Sequence, residues 1–134
     1  MKNHIGIDAI EIARIRRIMD KFGSQFYKRL FTDAERVYCD RQKKPELHYA
    51  ARFCAKESVS KALKTGIAAG IRWTDIEIVN DPVSGAPSVL LHNRALEIFS
   101  LLGGSGLDVS LSHSDTIATA AAVMTLEPPA GKTP

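Results

Sequence analysis

The chain has 134 residues, 45% of them apolar and 25% charged, with a formal net charge of +3 at pH 7. That length is about one domain, and the balance is that of a globular chain able to bury a core without a metal or disulfide staple. The charge excess is too mild to name a polyanionic partner.

At the amino terminus Lys2 is followed at once by Asn3, His4 and Asp8, which is not the charged-then-apolar order of a secretion signal. Ile5, Ile7 and Ala9 alternate with Gly6, Asp8 and Ile10 and predict a short strand. From Glu11 the period lengthens. Ile12, Ile15, Met19 and Phe22 recur every three or four residues, the stripe of an amphipathic helix that Gly23 ends. Thr32 followed by Glu35 is a capping-box pattern, so a second helix is expected from near Asp33, stopping before Pro45.

Glu46 to Lys64 holds no Gly or Pro and is rich in helix formers, which predicts one long helix. Its small and apolar residues point in almost every direction, as in a helix buried at the domain centre. Cys39 and Cys54 are too few for a disulfide framework and lack metal-ligand spacing. After a loop of Thr65, Gly66 and Gly70, Ile76 and Ile78 alternate in a strand. Asn80-Asp81-Pro82 and Ser84-Gly85 are turn chemistry, and Ser88 to His92 is the expected hairpin partner. Asn93 is the expected cap of a helix carrying Ala95, Leu96, Phe99 and Leu102, closed by Gly103-Gly104. Val109 and Leu111 mark another strand, and Ile117 to Leu126 a last one, read as buried on both faces. The longest apolar stretch, Ile117 to Met124, is interrupted by Thr119 and is well short of the roughly 18 residues of a membrane span. A single domain over residues 1–126, a disordered tail from Glu127 to Pro134, a cytoplasmic location and an α+β class are the expectations.

Four groups of residues carry candidate chemistry. Arg52, Lys56, Glu57 and Lys61 cluster on the long helix, with Glu57 and Lys61 one turn apart on a shared face. Such a cluster is either an ordinary ion pair on a solvated face or the lining of a wet cleft, because charge on a mostly buried helix is costly otherwise. Asp8 is a poor strand former among isoleucines: a helix cap, an outward-facing residue, or a carboxylate held rigidly for function. His113 closes a strand between Ser112 and Ser114, as a surface histidine or a ligand for phosphate; with no nucleophile elbow, a hydrolase triad is a weak reading. Arg14, Arg17 and Lys21 form one basic stripe on the first helix, a solvated face or a docking strip for an acidic partner, and Arg41, Lys43 and Lys44 form a second basic knot.

In order along the chain, Gly6-Ile7-Asp8, then Arg52-Phe53-Cys54-Ala55-Lys56-Glu57-Ser58 running to Lys61-Ala62-Leu63, then Thr65-Gly66, then Ser110-Leu111-Ser112-His113, resemble the holo-acyl-carrier-protein synthases, the small bacterial class of 4′-phosphopantetheinyl transferases. The match spans about Ile5 to Met124. The resemblance implies an α+β fold with a small antiparallel sheet packed on a long buried helix. It also implies transfer of the phosphopantetheine arm of coenzyme A to a serine of an acyl carrier protein, for fatty acid biosynthesis, with release of adenosine 3′,5′-bisphosphate. By the same resemblance Asp8 and Glu57 bind Mg2+, and Glu57 and Lys61 are the catalytic residues. Arg52, Lys56, Lys61, Lys64, Thr65, Gly66, Pro87 and His113 meet coenzyme A, while Arg14, Arg17 and Lys21 dock an acidic carrier protein. A homotrimer with active sites between subunits is implied as well. Two positions depart from the family pattern: Ala9 replaces a branched aliphatic residue, and Lys64 replaces a glycine. The competing readings are a small basic RNA-binding domain, which the sequence equips with no aromatic sheet platform, and a structural oligomer module in which Asp8 and Glu57 are interface ion-pair residues.

Overall fold

The computed structural model describes residues 1–128. β1 (Lys2–Glu11) runs straight into α1 (Ile12–Phe22), followed by α2 (Ser24–Leu30), α3 (Asp33–Asp40) and the long α4 (Pro45–Ala62). A 3-10 turn at Trp73–Asp75 leads to the hairpin of β2 (Ile76–Asn80) and β3 (Pro87–Leu91). α5 (Asn93–Leu101), β4 (Gly104–His113) and β5 (Ile117–Leu126) complete the order. β1, β5 and β4 form an antiparallel sheet in that order, and α4 lies across it. The α+β expectation holds.

Small residues set the distance between sheet and helix. The helix-facing side of β5 is Ala118, Ala120 and Ala122, all buried, and these meet Ala51, Cys54, Ala55 and Ala62 of α4 in one core. Gly6, paired with Ala122, stands directly over the helix backbone: a Cβ there would lie 1.8 Å from the Ser58 carbonyl oxygen. Only a residue without a side chain permits that approach.

A second, smaller core of Leu30, Phe31, Cys39 and Tyr49 sits at the start of α4. The two cores are joined by a buried ion pair. Lys56 Nζ donates to Glu35 Oε1 at 2.7 Å and to the carbonyls of Trp73 (3.1 Å) and Ile76 (2.5 Å), which uses all three ammonium protons. Glu35 also accepts from the backbone amides of Thr32 and Ile78. Burial pulls the Lys56 pKa down, and Glu35 opposes that pull.

Five local expectations change. Gly23 ends α1 as read, at φ +59°, but the chain re-enters a helix at once, giving α2. The capping box of Thr32 and Glu35 starts α3, which stops at Asp40; Pro45 does not end that helix but opens α4 as its first residue, where its missing N–H is no loss. β5 is buried on one face only, with Ile117 and Val123 open on the other. Asn93 does not cap α5: its side-chain amide donates to Asp75 Oδ1 instead, and its backbone is left-handed at φ +50°. The carboxyl end is tied down further than expected, because Glu127 N–H donates to the Gly103 carbonyl at 2.9 Å; residues 129–134 of the expected disordered tail lie outside the described residues.

Gly6→Ala is expected to destabilise the protein by about 3 kcal/mol or more, since backbone rather than a movable side chain blocks the added methyl. Urea unfolding of the two proteins measures the difference, and a change within about 0.5 kcal/mol would show that β1 is not held against α4 in this way.

Candidate active site

The strand register decides which way Asp8 points. It lies two residues beyond Gly6 and so on the same, helix-facing side of β1, opposite Ala120. Beneath it runs the stripe of Cys54, Glu57 and Lys61 on α4. Lys61 Nζ donates to the Ile7 carbonyl at 2.9 Å and reaches Asp8 Oδ1 at 3.4 Å. Glu57 is half-buried, and its pKa is raised, first by burial and then by the negative charge of Asp8, with Lys61 pulling the other way. The buried Cys54 thiol is pushed up to about 12, mainly by burial and then by Asp8 and Glu57, so it stays protonated and unreactive. Asp8 is thus neither a helix cap nor outward-facing.

Two carboxylates against one ammonium leave this corner with an excess of negative charge. Among the described residues the Glu57 carboxylate accepts no hydrogen bond, whereas Asp8 is engaged by Lys61 at the long distance of 3.4 Å and by the Cys54 thiol. Among the described residues no group of three or more acids, histidines and cysteines comes together as a protein cage for a metal. Two carboxylates, one unengaged and one held only by a long ion pair and a thiol, with the remaining positions left to water and phosphate oxygens, are the donor set Mg2+ favours, and the residues fit that ion.

The other candidate residues divide. Thr65 and Gly66 directly follow α4, where their amides and that of Lys64 close the helix: Thr65 and Gly66 N–H to the Ser60 carbonyl, Lys64 N–H to that of Lys61. Lys64 sits at φ +66°, the left-handed position that glycine fills most easily, which is the physical content of its departure from the family pattern. His113 ends β4 opposite Ala118, on the same side of the sheet as Asp8 but two strands away, about 10 Å across. Pro87 opens β3, paired with Asn80. Arg52 is buried: its Nη2 donates to Asn80 Oδ1 at 2.5 Å and its guanidinium lies 4.0 Å over the Tyr38 ring. Lys56 is not brought to the cleft at all. It is fully buried with every proton engaged, so it cannot reach coenzyme A without breaking the core.

Arg14, Arg17 and Lys21 lie exposed along α1, and none is salt-bridged among the described residues, whereas Arg16 beside them pairs with Glu46 at 3.1 Å. Arg14 and Arg17 line a surface hollow of about 280 Å³ with Ala9, Ile10, Glu11 and Ile117. Sequence reasoning missed Glu35, His48 and Asn80. Glu35 is visible in the sequence only as half of a capping box, and its second role depends on contacts with α4 and β2. Trp73, without a role in the sequence reading, stacks on Phe53 at 5.0 Å and offers its carbonyl to Lys56.

Residues 4–120 match the model of the 4′-phosphopantetheinyl transferase superfamily. The chain belongs to this family. Among its relatives, the holo-[acyl-carrier-protein] synthase of Syntrophus aciditrophicus is 44% identical over 124 residues, covering 92% of this chain and 96% of the relative. That of Protochlamydia amoebophila is 45% identical over 119 residues, 89% and 94% of the two chains. Crystal structures agree. The Neisseria meningitidis synthase superposes with a TM-score of 0.82 at 32% identity, covering 91% of this chain and 97% of that one. The Helicobacter pylori synthase, solved in complex with coenzyme A, gives 0.79 at 32% identity over 90% and 99%. Within the holo-[acyl-carrier-protein] synthase fold, Asp8 and Glu57 therefore occupy a corner where β1 lies directly on the backbone of α4.

The raised Glu57 pKa has a sign that can be checked. Between the unfolded value and the raised folded one, the native state binds more protons than the unfolded state, so stability falls as pH rises through that window. Asp8→Asn removes one cause of the shift, so in metal-free protein the Glu57 carboxyl should titrate lower than in wild type, followed by carbon-13 NMR. An unchanged or higher titration midpoint would show that the two groups do not sense each other.

Proposed function

We propose that this chain transfers 4′-phosphopantetheine from coenzyme A to a serine of an apo acyl carrier protein, releasing adenosine 3′,5′-bisphosphate, in the service of fatty acid biosynthesis. The observation that carries the reading is the convergence of Asp8 with Glu57 and Lys61 across the close approach of β1 to α4 at Gly6. Family membership and the coenzyme A complex of the Helicobacter pylori relative support the choice of donor.

In this reading Asp8 and Glu57 would hold Mg2+, which would supply Lewis-acid neutralisation of the charge on the phosphates when bound. Around it the chain's own groups position and neutralise, which is most of what phosphoryl transfer asks of a protein. The serine oxygen attacks the phosphorus on the pantetheine side; its proton goes to Glu57, and the bond to the bridging oxygen breaks with its electron pair leaving on adenosine 3′,5′-bisphosphate. Lys61, already fixed by the Ile7 carbonyl, places positive charge where the leaving phosphate gains negative charge. Lys64, Thr65 and Gly66 at the end of α4, Pro87 at the start of β3, and His113 with Arg52 behind it form the coenzyme A wall, without Lys56. The unpaired stripe of Arg14, Arg17 and Lys21 is the landing strip for an acidic carrier protein, which it recognises by charge.

The outer face of the sheet supports a homotrimer with sites between subunits. Ile5 and Ile7 are 65% and 69% exposed there, with Val123 opposite Ile5 and Ile117 further along the same face, apolar surface of the kind that a subunit contact covers. Among the described residues that face carries no Phe, Tyr or Trp, so a base-stacking RNA reading draws no support from it. Among the described residues no helix is long and apolar enough to cross a membrane.

Incubation with coenzyme A, Mg2+ and apo acyl carrier protein, read by intact mass, should show the carrier gain one phosphopantetheine and should show no gain once the metal is chelated. Asp8→Ala and Glu57→Ala should each lower the rate by a factor of about 10² or more while the protein stays folded. Wild-type rates in either variant would overturn the assignment.

A further inference from the structure

The start of α4 and the end of β4 are held side by side by Lys44 and Asp115, whose charged groups lie 3.2 Å apart. Between them two imidazoles meet. The rings of His48 and His113 are 5.1 Å apart, edge to face at 68°. Tyr38 of α3 closes the other side of His48, ring to ring at 5.9 Å. One turn along α4, Arg52 lies over the same Tyr38 ring, and its buried Nε has no hydrogen-bond partner. Among the described residues neither imidazole makes a hydrogen bond.

We propose that His48 joins His113 as a second imidazole ligand for a phosphate on the nucleotide half of coenzyme A, and that seating this phosphate draws one proton onto the pair. This rests on the coenzyme A reading given above.

The charges around His48 favour that exchange. His113 faces it from β4, Arg52 and Glu46 from its own helix, and Tyr38 from α3. Burial holds its proton affinity down, and His113 and Arg52 push the same way; only Glu46 opposes them, and Glu46 is already engaged by Arg16. Two facing rings next to a guanidinium cannot both carry charge cheaply. A phosphate seated beside the pair reverses the balance, because it accepts an N–H from each ring and its negative charge offsets theirs. The phosphate then binds more tightly at lower pH, as long as it remains a dianion. A single linked proton changes affinity by at most about tenfold per pH unit.

Calorimetric titration with adenosine 3′,5′-bisphosphate tests the pair, at pH 6.5 and 8 and in two buffers of different ionisation heat. Wild type is expected to take up protons on binding. His48→Phe, which keeps a flat ring against His113, should still bind but take up about one proton fewer, and its affinity should depend less on pH by up to about tenfold per unit. His48→Gln should restore a hydrogen-bond donor and some affinity at pH 8 without restoring the proton uptake. Titration of the phosphate itself is common to all three proteins and cancels in the comparison. Proton uptake and pH dependence in His48→Phe equal to those of wild type would overturn the role of His48 and leave the coenzyme A reading standing. No binding by wild type would overturn both.

Discussion

The distance between β1 and α4 governs everything chemical in this molecule. A strand and a helix normally keep side chains between their backbones; here Gly6 lets the strand rest on the Ser58 carbonyl. Because strand side chains alternate, a glycine that must face the helix puts Asp8 on that same side two residues later. Helix periodicity does the rest: Glu57 and Lys61, a turn apart, straddle the turn on which Ser58 lies. The acid pair is thus a consequence of close packing between elements more than forty residues apart in the chain. Its components have no local reason to meet.

Adjacent residues on α4 show how a helix turn of roughly 100° separates structure from chemistry. Lys56 turns inward, finds Glu35 and two carbonyls, and becomes a rigid bolt between two cores. Glu57 turns toward the cleft, keeps its oxygens free and is penalised for it by burial and by Asp8. Fully satisfied charge fixes the helix in place; under-satisfied charge, one residue away, is left to bind something. The bolt also fixes the β2–β3 hairpin through the Ile76 carbonyl, and so the position of Asn80 that holds Arg52.

Much of this was legible in the sequence, for identifiable reasons. The long helix, the capping box at Thr32 and the hairpin around Asp81 and Gly85 rest on local chemistry that tertiary contacts do not override. α2 is not legible because Gly23 has the local signature of a helix end, whereas in the fold it only separates two helices. α3 does stop before Pro45, and the proline itself is the first residue of α4, one position earlier than the run of helix formers from Glu46 indicates. At the site, Asp8, Glu57 and Lys61 stood out because charge is unexpected in such apolar surroundings. Lys56 stood out for the same reason and was assigned to the ligand, since sequence cannot show that a buried acid from α3 waits for it. His48 went unremarked because its neighbour His113 is sixty-five positions away and only the fold brings the rings together.

The central claim is that β1 and α4 jointly present two carboxylates to one divalent ion. Mn2+ soaked with coenzyme A into crystals of this protein, located by its anomalous scattering, tests that claim most directly. The account predicts one strong peak bonded to oxygens of both Asp8 and Glu57 and to a phosphate oxygen of the nucleotide. A peak coordinated by neither carboxylate, with coenzyme A bound in place, would contradict it.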